Sequence, residues 1–77
     1  MNKARRKWLE ETINKLEEQK TELESIGEEE QEAYDNMPES LQDSEKGQTM
    51  YENIDTLEAA ASDLDDIITN LQEILER

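Results

Sequence analysis

Seventy-seven residues, 39% of them charged and 32% apolar, with a net charge of −14, make one domain near the lower size limit for an independent core. Cysteine and histidine are both absent, which excludes disulfides, thiol or imidazole catalysis and the usual zinc sites. Two glycines, one proline and no phenylalanine leave too little turn and strand chemistry for a β architecture, so the chain reads as all-α.

The N-terminal stretch from Met1 to Lys7 is basic but no apolar run follows it, so it does not read as a signal peptide. No segment approaches the length of a membrane span, and a cytoplasmic protein without a membrane partner is expected. A first helix is expected over about residues 3–34. Leu9, Leu16 and Leu23 recur every seven residues, flanked by Ile13 and Ile26, and the pattern fades through Glu30, Ala33 and Met37. Thr12 and Gln19 fall where the seam calls for leucine. Gly27 costs about 1 kcal/mol relative to alanine inside a helix, and one continuous helix is expected across it.

Pro38 cannot sit inside a long helix, so the chain turns over about residues 36–43. Asn36 with Glu39 three residues later reads as a capping box, a short helical turn follows at about 38–42, and Asp43 or Ser44 is a natural N-cap for the next helix. That second long helix, about 44–76, carries the strongest pattern in the chain. Met50, Ile54, Leu57, Ala61, Leu64, Ile68, Leu71 and Leu75 are spaced 4, 3, 4, 3, 4, 3 and 4 residues apart, an unbroken heptad seam. Ala60, Ile67 and Ile74 form a second row beside it, wider than a two-stranded coiled coil needs. Low hydrophobicity with high charge is otherwise the mark of disorder; seams this regular argue for helices instead.

A short connection forces the long helices antiparallel. Levelling Asn36 with Ser44 sets Leu23 against Leu57, Leu16 against Leu64, Leu9 against Leu71 and Gln19 against Ala61. It also brings Arg5, Arg6 and Lys7 to Glu73 and Glu76. The expected fold is a single 77-residue helical hairpin, coiled-coil-like, pairing with a second copy into a four-helix bundle.

Two surfaces stand out. Trp8, Ile13, Ile67, Ile74 and Leu75 gather at the open end in excess of what two helices can cover, which marks a self-association patch and a homodimer. At the closed end Tyr34, Met37, Leu41, Met50 and Tyr51 cap the core. The other surface is acidic: residues 21–77 hold 18 Asp or Glu against two basic residues, densest at Glu28, Glu29, Asp63, Asp65 and Asp66. Such a face suits a basic protein surface and disfavours direct nucleic-acid binding, which needs Lys and Arg. Asp63, Asp65 and Asp66 lack the glycine and distal glutamate of a calcium loop, and a hairpin offers no water-excluding pocket for acid–base work. No catalytic, cofactor or metal residues are assigned.

The run Met37-Pro38-Glu39-Ser40-Leu41-Gln42-Asp43-Ser44-Glu45-Lys46-Gly47, followed by Ile54-Asp55-Thr56-Leu57-Glu58, resembles small uncharacterised helical proteins of Gram-positive bacteria and their phages. The likeness covers roughly residues 36–75. It implies a cytoplasmic setting and a mobile-element origin, and brings no activity or functional residues with it. The sequence thus points to a non-enzymatic protein–protein interaction module. Its rivals are an acidic inhibitor that mimics nucleic acid against a host DNA- or RNA-binding protein, and a purely structural bundle.

Overall fold

Long runs of Glu, Lys, Leu, Gln and Ala favour helix throughout both halves, and capping fixes where the helices begin. In the computed structural model, which describes residues 1–77, the Asn2 side chain accepts a hydrogen bond from the Arg5 amide at 2.8 Å and starts α1, Lys3–Asp35. Ser44 does the same for α3, Glu45–Glu76, accepting from the Gly47 amide at 3.3 Å. Between them lies a one-turn α2, Glu39–Gln42. The chain is about 90% helical without a strand, and α1 packs antiparallel on α3 as a hairpin, a rod of 58 × 15 × 14 Å. No helix is long and apolar enough to cross a membrane.

The expected capping box does not form. Asn36 closes α1, its amide donating to the Glu32 carbonyl and the next amide, of Met37, to the Tyr34 carbonyl, while Pro38 precedes α2 without a side-chain cap. Proline's fixed φ is already suited to a helix start, so α2 needs no cap. Gln42 instead ties the turn together, donating from Nε2 to the Tyr34 carbonyl at 3.0 Å and the Met37 carbonyl at 3.2 Å.

Gly47 decides how tightly α3 leaves that turn. A methyl group there would overlap the Gln42 carbonyl oxygen and sit 2.5 Å from the Leu41 carbonyl oxygen and 2.6 Å from the Gln42 carbonyl carbon. Only a residue without Cβ lets the two backbones come this close.

The α3 seam lies where its periodicity puts it: Ile54, Ala61 and Ile68 are buried, and Met50, Leu57, Leu64, Leu71 and Leu75 half-buried. The α1 seam differs from expectation. It runs Arg6, Leu9, Ile13, Leu16, Lys20, Leu23, Gly27, Glu30, Tyr34 and Met37, with Ile13 and Gly27 buried and the others half-buried. Gln19 and Ile26 are exposed, so the leucines pair with the positions four residues on, not three.

The register shifts with it. A Cβ on Gly27 would meet the Leu57 Cβ at 3.8 Å, and Lys20 reaches Asp65 at 2.9 Å. Gly27, not Leu23, is therefore level with Leu57, a slide of about one helical turn. Leu23 falls opposite Ala61, and large meets small in successive layers.

The basic start of α1 and its acid-rich end both oppose that helix's own dipole. The antiparallel partner offsets this. Arg6 at the start of α1 donates to the Leu75 carbonyl at the end of α3, where a cation satisfies an orphan carbonyl and the negative end of the α3 dipole. The expected ion pairs to Glu73 and Glu76 are replaced by this backbone contact.

Candidate interaction surfaces

In an antiparallel helix pair each seam has two flanks, and here they differ in chemistry. One flank is polar and charged. Lys20 donates to Asp65 across it, and Gln72 Nε2 donates to the Glu17 carboxylate at 3.3 Å. That hydrogen bond to Asp65 holds the Lys20 ammonium above the ordinary lysine pKa. Partial desolvation opposes it, and the charges of Asp65, Glu24 and Glu17 add to it.

Where Gly27 and Ala61 replace large side chains, the same flank opens into a trough of about 420 Å³. Leu23, Gly27, Leu57 and Ala61 line it from the two helices. Glu24, Glu28, Glu32, Asp35 and Glu58 stand around it with Gln31, and no basic residue contributes. The trough comes from absent side chain in two adjacent layers, one from each helix.

The opposite flank carries no charge along its middle. It is formed by Thr12, Gln19, Ile26 and Ala33 on α1 and by Asn53, Ala60, Ile67 and Ile74 on α3. In a chain with 22 carboxylates among 77 residues, eight flanking positions without one form a distinct surface. Ile26 and Ile67 are 52% and 49% exposed there.

No protein-family model matches the chain, and no curated protein or solved structure matches it. The surfaces therefore rest on their own chemistry.

The five apolar residues expected at the open end part company. Ile13 is buried in the hairpin's own core, at 4% exposure, and Ile74 and Leu75 are half-buried. Trp8 and Ile67 remain exposed, Trp8 at 71%. Ile26 joins them, because the α1 seam passes through Gly27 beside it and leaves Ile26 outside. At the closed end Tyr34, Met37 and Met50 are half-buried, while Leu41 and Tyr51 stay exposed. The Tyr34 and Tyr51 rings meet at 6.0 Å between centroids, tilted by 58°, a favourable edge-type contact.

The acidic residues do not form one face. Glu28, Glu29, Asp63, Asp65 and Asp66 are all exposed, but Asp63 and Asp65 point about 160° apart around α3. Glu28 borders the trough, Asp65 is engaged by Lys20, and no group of three carboxylates is drawn together for a metal ion.

Proposed function

We propose that this chain is a non-enzymatic protein–protein interaction module of the cytoplasm whose first partner is a second copy of itself, docked on the carboxylate-free flank. The observation that carries the reading is the pairing of an under-sized core with an uncharged flank. Ile13, Ile54, Ala61 and Ile68 are the only buried hydrophobic residues among 77, and none of the four is completely withdrawn from solvent. The accessible surface is 5980 Å², against roughly 4,850 Å² for a compact monomer of this mass. The excess, of order 1,000 Å², is comparable to the ~800 Å² each partner buries in a standard interface.

Charge selects which surface is covered. Two chains of −14 repel, so a contact is favoured only where carboxylates are absent, and the flank of Ile26, Ala60, Ile67 and Ile74 meets that condition. Two hairpins joined there by a two-fold axis make a four-helix bundle. Each isoleucine withdrawn from water contributes ~1.5–3 kcal/mol. A phage or prophage origin accords with the sequence resemblance. The nucleic-acid-mimic reading draws less support, because the carboxylates are spread around α3 and one is neutralised by Lys20.

Sedimentation equilibrium tests the dimer. The expected mass is twice the 9.0 kDa chain, with Ile67→Glu plus Ile74→Glu returning it to monomer. A wild-type monomer at about 100 µM would reject self-association, since 8 kcal/mol of binding already gives a ~1 µM dissociation constant.

A further inference from the structure

We propose that the trough beside Gly27 is a docking groove for a basic amphipathic helix of a second protein, with an apolar side chain seated on Gly27 and lysines or arginines meeting the surrounding carboxylates. The inference deepens the interaction-module reading and does not need the dimer, because the groove lies on the flank opposite Ile26 and Ile67. It rests on shape and charge together.

The floor is apolar and already built. Leu23, Leu57 and Ala61 line the trough with Gly27, and about 420 Å³ stands open between them and the surrounding polar side chains. From Leu23 to Asp35 it runs along about 18 Å of α1, the length of three helical turns, so a helix fits it better than a small molecule. Helix-in-groove recognition uses this arrangement, with anchors at i, i+3, i+4 and i+7 seated in an apolar channel.

The surroundings choose the sign of the partner. Glu24, Glu28 and Glu32 from α1 and Glu58 from α3 border the apolar floor without a basic residue among them. Within ~8 Å, the reach of a charge at physiological salt, a cationic helix is attracted and an anionic one rejected. A second copy of this chain is a poor occupant, because both of its long helices are rich in carboxylates over most of their length.

The probe is a helical peptide of leucine and lysine only, with leucines at i, i+3, i+4 and i+7. Its control is the same composition scrambled to remove the apolar face. Calorimetry should show the amphipathic peptide binding at least about tenfold tighter than the scrambled one, the ratio that 1.4 kcal/mol of groove contact gives. Gly27→Leu, which puts a large side chain where the partner's apolar anchor would sit, should remove that preference. Glu24→Gln, Glu28→Gln and Glu58→Gln together should weaken binding by a similar factor, while Glu11→Gln, Glu18→Gln and Glu73→Gln, an equal change in net charge on the outer faces, should not.

Equal binding of the two peptides, equal loss from the two triple variants, or undiminished binding by a folded Gly27→Leu chain would overturn the groove and leave only diffuse attraction to a charge of −14. Should Gly27→Leu fail to fold, the two glutamine triples decide alone. Sedimentation of the wild-type samples keeps the two readings apart: a dimer that shows no preference for the amphipathic peptide rejects the groove alone, and a monomer that shows it rejects the dimer alone.

Discussion

Gly27 and Gly47 are both buried and both helical, yet they serve opposite ends. Gly47 lies where α3 departs from α2, against main-chain carbonyls that cannot move without undoing the turn. Gly27 lies mid-rod, where an added methyl would make ordinary contact with Leu57 at 3.8 Å. At the turn the absent side chain is a condition of the fold. In the middle of the rod it is dispensable to the fold and leaves a trough. The lesson is that burial alone does not say why a glycine is there; the identity of the nearest atom does.

The largest effect that can break this comparison is Gly47→Ala. Overlap with two backbone carbonyls should cost about 3 kcal/mol, lowering the melting temperature by roughly 12–24 °C for a domain of this size. A loss under about 0.5 kcal/mol, the range of a neutral surface change, would show that the turn yields easily. Gly27→Ala should move the other way, stabilising by about 1 kcal/mol through helix propensity and a less flexible unfolded chain. A fall in melting temperature would mean the layer at Leu57 is tighter than a 3.8 Å approach implies.

The smallest effect lies two turns from Gly27, at Lys20. Its pKa is raised in the folded chain, chiefly by the hydrogen bond to Asp65. The stability it contributes is therefore complete below the ordinary lysine value of ~10.4 and lost as pH climbs through the higher folded value. Asp65→Asn should lower the melting temperature slightly at pH 9, and the gap from wild type should close by about pH 12. A gap that stays constant over that range would separate the Asp65 effect from Lys20.

Legibility in the sequence followed the same divide between regions. All eight α3 seam positions were readable because each carries an apolar side chain. In α1 the seam passes through Arg6, Lys20, Gly27 and Glu30, which carry no apolar signal, while Ile26 sits outside it. The apolar signal of Ile26 and Ala33 therefore draws the expected seam onto the column of Thr12 and Gln19, away from Lys20, Gly27 and Tyr34. Lys20 is tolerated there because its stem covers the seam while its ammonium reaches Asp65. The hairpin, the helix bounds and the Ser44 cap could be anticipated from local chemistry. The trough could not, since it depends on Gly27 and Ala61 arriving in adjacent layers, and that needs the register to within one turn.

The Gly47 turn also sets the order in which the molecule assembles. Hydrogen bonds at the closed end join residues eight apart in sequence, as between Gln42 and Tyr34. Lys20 and Asp65 are separated by 45 residues and Arg6 and Leu75 by 69. Closing the longest of these loops directly costs about 2 kcal/mol more chain entropy than closing the shortest, so pairing begins at the turn and travels outward, each layer shortening the loop for the next. Substitutions around Gly47 should then slow folding, whereas weakening the Arg6–Leu75 tie should leave the folding rate nearly untouched and speed unfolding. The rod frays from the end that carries Trp8, and closes from the end that carries Gly47.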